Sequence, residues 1–389
     1  MKIIDVAEFY SAQGGGVRTY IHQKLAAGKK LGHEIVILAP GQQDGTEDRE
    51  GGRIIWIKSP HLPFDARYHM FWNKNIIHSI LDREQPDVVE ASSPWRGAWI
   101  VRNWKGKATR TLFMHADPVA SYAHVFLDTL VSRARIDWVC SAFWAYLRRL
   151  SSEFDATLVA GEWLAKRFAG FNLRPPMAVP LGVDHRLFSP EMRSPALRRD
   201  MLAHCGLGPE ASLLISIGRH HPEKRLNVLI EAVGIANGHR PVGLFIVGDG
   251  ISRALTERKA SHVPHVYLAG EIDDRWRLSH MLASSDALFH GCASETFGLV
   301  AAEALSAGVP IIVPDVGGAA DLAEIDYAEI YTTGDAMAAA SAILNLLKRN
   351  RQNLSARAYE AAHLRIGPPE QHFAHLFDYY QNLTRKRPP

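Results

Sequence analysis

Three cysteines in 389 residues is little sulfur. Cys140, Cys205 and Cys292 are far apart and odd in number, which excludes a disulfide framework and a multi-cysteine zinc site and predicts a reducing, cytoplasmic setting. Apolar runs are short. None approaches the roughly 18 residues that a spanning helix needs. The opening Met1-Lys2-Ile3-Ile4-Asp5-Val6 reads as too short and too acidic for a signal peptide. There is no Asp-x-Asp, no His-Glu-x-x-His and no paired Cys-x-x-Cys, so no metal cofactor is expected. The absence of a Gly-x-Ser-x-Gly elbow disfavours a serine hydrolase. A net charge of +3 is too modest for a nucleic-acid binder.

What is present points to two domains, because a chain of this length exceeds one ordinary core. The charge is uneven. Residues 1–190 hold 24 Lys and Arg against 19 Asp and Glu, and the remainder 20 against 22. Eight of nine tryptophans also lie in the first half. From Arg96 to Arg110 there are five basic residues and no acid, with Trp99 and Trp104 among them. That composition suits an anionic or lipid-linked acceptor, or peripheral contact with a membrane surface. An ordinary basic surface explains it equally.

Strands are expected at Lys2–Val6, Glu34–Ala39, Ile54–Lys58, Asp87–Ala91, Arg110–Met114 and Ala156–Ala160, with helices at Val17–Leu31 and Phe71–Asp82 between them. After the turn-rich Gly182-Val183-Asp184 the pattern restarts, with strands at Ser212–Ile217, Val242–Val247, Val266–Ala269, Ala287–Phe289 and Ile311–Val313. Strands alternating with helices imply parallel sheets covered on both faces, with ligands at the C-terminal strand ends. The fold expected is therefore α/β, with two Rossmann-like doubly wound domains facing across a cleft. The expected division is 1–188 and 189–368, with a terminal helix, 369–389, packing back on the first domain.

The stretch from Glu295 to Glu303 carries the most chemistry. It lies where the strand ending at Phe289 hands over to an alanine-rich helix that Gly308 stops. The amides of Phe297, Gly298 and Leu299 sit at that helix's start, where partial positive charge favours a phosphate. Gly298 lets a ligand approach the backbone. Glu295 suits a sugar, and Glu303, two turns on, suits the two neighbouring hydroxyls of a ribose. By spacing alone, an amphipathic helix with two solvated glutamates fits as well.

Other strand ends add to this. Arg219 and Lys224, in Gly218-Arg219-His220-His221-Pro222-Glu223-Lys224-Arg225, offer two cations to a departing diphosphate, while Arg225 reads as a solvated loop residue. Gly248 lies in the strand-end loop Val247-Gly248-Asp249-Gly250, beside the expected base site. His115 ends a first-domain strand and reads either as a partner for the transferred sugar or as a structural histidine; Asp117 and His124 lie close by in sequence. Gly14-Gly15-Gly16 follows the first strand. It suits a phosphate or a plain tight turn, but it lacks the third glycine of a dinucleotide fingerprint.

In this order, the glycine loop, His115, Gly182-Val183-Asp184, Arg219 with Lys224, Val247-Gly248-Asp249-Gly250 and the Glu295-x7-Glu303 pattern resemble the family 4 retaining glycosyltransferases, which have the two-domain GT-B fold. The resemblance implies that Arg219 and Lys224 bind the donor diphosphate and that Glu295 contacts the donor sugar, helped by the amides near Gly298 and Leu299. It further implies that Glu303 holds the ribose, that His115 touches the sugar and that Gly15 and Gly16 lie near the diphosphate. Catalytic work falls to His115, Arg219, Lys224 and Glu295, and no cofactor is implied. The implied reaction moves a hexose, with retention, from GDP-mannose or a UDP-hexose to a hydroxyl of a glycan, a lipid-linked or a small-molecule acceptor. The implied setting is the cytoplasm, with peripheral contact at the inner membrane face. A nucleotide-sugar 2-epimerase of the same fold and a non-catalytic nucleotide-sugar-binding protein are the alternatives.

Overall fold

A computed structural model describes residues 1–11, 16–62, 65–128 and 130–386. The chain divides into two compact units. Unit 1 takes Met1–Ala116, Trp138–Pro180 and the terminal segment from Pro369. Unit 2 takes Asp117–Asp137 and Leu181–Pro368. The division falls at 180/181 where the sequence suggested 188/189, and residues 117–137 group with unit 2 although they lie deep in the first half of the chain.

In unit 1 the strands are β1 (Lys2–Val6), β2 (Glu34–Gly41), β3 (Gly45–Arg49), β4 (Gly52–Lys58), β5 (His61–Leu62), β6 (Asp65–His69), β7 (Val88–Ala91), β8 (Thr109–Met114), β9 (Ala156–Val159) and β10 (Met177–Ala178). Eight of them form a sheet in the order β10-β9-β8-β7-β1-β2-β4-β3, parallel except for the β3–β4 pair; β5 and β6 form a separate hairpin. Because β1 and β2 are covered on both faces, nearly every residue in them is buried, and the near-continuous Ile, Val and Leu runs follow from that.

The terminal helix Pro369–Lys386 buries His372, Phe373, Leu376, Phe377 and Tyr380, an apolar stripe at helical spacing. It packs within unit 1 on the helix Gly16–Lys30 and on β8. The Phe373 ring centroid is 5.2 Å from that of Tyr20.

Unit 2 holds β11 (Ser212–Ile217), β12 (Val242–Val247), β13 (Val266–Gly270), β14 (Ala287–Phe289), β15 (Ile311–Pro314) and β16 (Ala328–Tyr331). Their order, β13-β12-β11-β14-β15-β16, is all parallel. Counted from β11 it reads 3-2-1-4-5-6, the Rossmann order, whose direction reverses between the first and fourth strands. Ligands of such sheets bind beyond the strand ends at that reversal. In unit 2 it falls between β11 and β14, and in unit 1 the same reversal falls between β1 and β7.

Candidate active site

At the unit 2 reversal, β11 gives way to Gly218 and Arg219, and the short turn Pro222–Lys224 brings Lys224 back over the strand ends. One glycine makes room for it. A Cβ on Gly291 would lie 2.4 Å from the Lys224 carbonyl. From β14, residues 290–298 form a loop that delivers Glu295. The Lys224 ammonium donates to Glu295 Oε1 in a very short ion pair, with side chains 17% and 23% exposed.

Burial by itself would raise the Glu295 carboxyl. Lys224, His290 and Arg219 outweigh it and hold the group down at about 2. Burial likewise works against the charge of Lys224, and its acidic neighbours keep its pKa above the ordinary lysine range. The thiol of Cys292 is itself pushed up by burial, so at neutral pH Glu295 supplies the negative charge that Lys224 meets. Arg219 stands at the rim, 58% exposed, with a long contact of 3.4 Å to Glu223. Two cations and two carboxylates, Glu223 and Glu295, therefore meet at the strand ends of β11 and β14.

The helix that follows starts at Leu299, with Gly298 as its cap at φ 83. A Cβ on Gly298 would lie 2.9 Å from the Ala319 Cα, so this left-handed turn takes glycine. The first amides of a helix have no partner within it. Phe297 contributes its backbone here, because its ring is buried. Glu303 is 5% exposed and accepts from Arg275 Nη2 at 2.9 Å. Burial pushes its carboxyl up, Arg275 opposes the rise, and the group settles at about 7. This replaces the solvated-glutamate reading of Glu303. Gly248, at φ 134, is required by packing: a Cβ there would meet the Gly218 carbonyl at 2.0 Å.

In unit 1, His115 follows β8. Its ring stacks on Phe113 at 4.2 Å and meets Tyr20 edge-on at 5.0 Å. Burial lowers its pKa to about 3, so the imidazole is neutral. Of its sequence neighbours, Asp117 caps a turn by accepting from the amides of Val119 and Ala120, and His124 pairs with Asp137 at 3.0 Å. Gly14 and Gly15 lie outside the described residues; Gly16 heads the helix Gly16–Lys30.

The basic stretch from Arg96 to Arg110 is partly turned inward. Arg102 pairs with Glu153, Arg110 donates to the Arg102 and Gly106 carbonyls, and Trp104 is buried with its indole N–H on Asp82. Trp99 remains 44% exposed.

Arg225 corrects an expectation outright. It is 8% exposed, not a solvated loop residue, and it pairs with Asp128 at 2.5 Å. It also adopts φ 48, ψ 38, a left-handed backbone costing a non-glycine residue roughly 1–2 kcal/mol. His290, Cys292, Arg275 and Asp128 were not singled out as site residues from sequence. For His290 a signal existed, because it stands at the strand end directly after β14.

Among the described residues one cluster gathers metal-type donors: His290, Cys292 and Glu295 offer atoms within 4.8 Å of one another. The donor set fits a cation poorly. Lys224 already occupies Glu295, and the neighbouring thiol is held protonated by burial. Only the imidazole, lowered to about 4 by burial, is in the neutral form that ligates a metal.

A family model described as Glycosyltransferase Family 4 matches residues 14–187, and one described as Glycosyl transferases group 1 matches residues 205–365. Among solved structures, a sucrose-phosphate synthase from Thermosynechococcus elongatus superposes with a TM-score of 0.78 at 17% identity, covering 99% of each chain. An Anabaena protein solved with UDP and glucose gives 0.71 at 16% identity, covering 98% of this chain and 99% of its own. At such identities the likeness is one of fold, and the fold is that of the GT-B glycosyltransferases.

Sequence relatives are closer. A GDP-mannose-dependent alpha-(1-6)-phosphatidylinositol dimannoside mannosyltransferase of Mycobacterium tuberculosis is 26% identical over 315 residues, 80% of this chain and 79% of its own. A GDP-mannose-dependent alpha-mannosyltransferase of the same species is 29% identical over 329 residues, 83% of this chain and 81% of its own. The chain belongs to glycosyltransferase family 4 and is a retaining glycosyltransferase that uses a nucleotide-sugar donor. Among the described residues no helix is long and apolar enough to cross a membrane.

Proposed function

We propose that the protein transfers mannose from GDP-mannose to a hydroxyl of a glycan or glycolipid acceptor. The observation that carries the site assignment is the Lys224–Glu295 ion pair at the β11/β14 reversal, with Arg219 at its rim. The choice of donor rests on the mannosyltransferase relatives, two of which align over about four-fifths of this chain at 26–29% identity. In this reading unit 2 binds the donor and unit 1 the greater part of the acceptor. Arg219 and Lys224 neutralise the diphosphate as it leaves. Glu295, held ionised, accepts from hydroxyls of the sugar, and the amides of Phe297, Gly298 and Leu299 face the phosphates. Glu303 takes the ribose once Arg275 gives way. His115 keeps the sugar-contacting role that its place after β8 suggests. Gly15 and Gly16 are assigned to the diphosphate by family likeness alone, and Gly248 helps to shape the base site.

Retention follows from front-face attack. The bond from the anomeric carbon to the phosphate oxygen breaks toward an oxocarbenium-like ion pair. The acceptor hydroxyl attacks the same face, and its proton passes to the departing phosphate oxygen. The protein's share is to stabilise the leaving charge and hold the partners in line. Work on a lipid-linked acceptor, at the cytoplasmic face of a membrane, is in keeping with the phosphatidylinositol dimannoside in one relative's name.

The test is thermal stabilisation by GDP, UDP and ADP. At about 100 times its dissociation constant, the right nucleotide adds roughly 2.7 kcal/mol. GDP is expected to raise the melting temperature, and the rise to vanish in Arg219→Ala/Lys224→Ala. A rise with UDP alone would replace the donor. No rise with any nucleotide in folded protein would sink the site assignment.

A further inference from the structure

Beside the donor residues, unit 2 has a cavity of about 400 Å³, which the assignments above leave unused. Its walls are Asp128, Arg225, Thr333, Gly334 and Asp335. The volume falls within the roughly 300–1,000 Å³ of small-molecule sites. Arg225 directly follows Lys224, and Thr333 to Asp335 follow β16, the far edge strand of the same parallel sheet. The cavity thus lies toward the β16 edge, on the other side of β11 from β12, whose loop is assigned to the base.

Its polar groups are built but incompletely used. Arg225 and Arg133 both donate to the same oxygen of Asp128, at 2.5 and 3.1 Å. That leaves the buried Asp128 Oδ1, and the buried Nε–H of Arg225, without a protein partner. Buried polar atoms without partners are costly, and in native proteins they mark a place for water or a ligand. Gly334 lines the wall in a left-handed turn at φ 83, which favours glycine. Among the lining side chains one cation, Arg225, stands with two carboxylates, Asp128 and Asp335; Arg133 also donates to Asp128, and Asp315 holds the Thr333 hydroxyl at 2.6 Å. An anion finds no excess of positive charge. A neutral polyhydroxyl ring, which both gives and takes hydrogen bonds, suits a guanidinium set beside a carboxylate.

We infer that this cavity is a carbohydrate subsite, recognising a neutral sugar ring of the acceptor through Arg225 and Asp128. Its assignment to the acceptor rests on the donor site proposed above. The acceptor then carries a saccharide or polyol unit near the hydroxyl that reacts, whatever else is attached to it.

Ligand-observed saturation-transfer NMR on the full chain tests this, with the methyl α-glycosides of mannose, glucose and galactose and myo-inositol as probes. At least one probe is expected to receive saturation, and to do so still in the presence of excess GDP. Binding is expected to weaken about tenfold or vanish in Arg225→Gly, the size of one lost charged hydrogen bond. Glycine suits this left-handed backbone, so that variant folds, as its melting curve will show. Thr333→Trp, which fills the cavity, should act alike. No saturation of any probe, equal saturation in both variants, or displacement by inorganic phosphate would overturn the inference. The wild-type melting shift with nucleotide is read separately. Sugar binding without a nucleotide shift removes the donor site and leaves this one standing, and the reverse result removes only this one.

Discussion

Both units place a lysine against carboxylates where the strand order of their sheet reverses, yet the two arrangements do different things. In unit 1, Asp5 on β1 stands directly across from Glu90 on β7, and Lys24 bridges them at 2.8 and 2.6 Å. All three are fully buried. Tyr380 of the terminal helix donates to Glu90 at 2.6 Å, so the cluster also fastens that helix to the sheet. Burial raises the Asp5 carboxyl, with Lys24 pulling against it. In unit 2, Lys224 and Glu295 are partly open to solvent, and the buried Nε2 of His290, 3.8 Å from Glu295, has no hydrogen-bond partner. A sealed, fully partnered cluster cannot exchange partners without unfolding, so it serves structure. An open one with an unused group can accept a ligand.

Breaking the sealed cluster should give the largest effect. Lys24→Ala leaves two facing carboxylates buried and is expected to cost about 3–5 kcal/mol of stability. Denaturant unfolding measures it, and a loss under about 1 kcal/mol would show that the cluster is not structural. Lys224→Ala should shift the balance: a smaller loss in unfolding than Lys24→Ala, since its pair with Glu295 is partly open to solvent, but a transfer rate about 10²–10³ lower, roughly 2.7–4 kcal/mol of barrier. Steady-state turnover checks this, and comparable losses of stability in the two variants would erase the contrast.

The smallest effect sharpens the comparison by pH. Glu303 binds a proton up to about 7, against 4.5 in the unfolded chain, because it is buried. Between those values the folded state holds the extra proton, so the contribution of Glu303 to stability falls as pH rises through that window. Nucleotide binding should move the other way, since the ribose hydroxyls donate to the carboxylate. Affinity is expected to rise about tenfold from about pH 6 to about pH 8, and to level off above. Titration calorimetry with GDP measures it; a flat profile in wild type, or an unchanged one in Glu303→Gln, would separate Glu303 from the ribose.

Much of this architecture was legible in the sequence. Ser212–Ile217, Val242–Val247 and Ala287–Phe289 were bounded correctly, because strands buried on both faces read as mostly apolar runs, broken only by small residues, between turn residues. The short β3, β5, β6 and β10 were not, and neither was β16, whose Ala328-Glu329-Ile330-Tyr331 carries a charge in mid-strand. An edge strand with one exposed side lacks the apolar run that betrays a central one.

Composition and order alone determined that this chain builds two parallel α/β sheets, and which strand ends carry cations and carboxylates. Local patterning encodes both, since periodicity and loop chemistry act over a few residues. Only the tertiary structure decided which of those charges meet. Lys224 and Glu295 are 71 residues apart, Arg225 and Asp128 are 97 apart, and Glu90 and Tyr380 are 290 apart. It also decided that Arg225 goes inside and that Glu303 keeps its proton near neutrality. Both depend on how completely packing removes water from a group, and burial of that kind is set by segments distant in sequence.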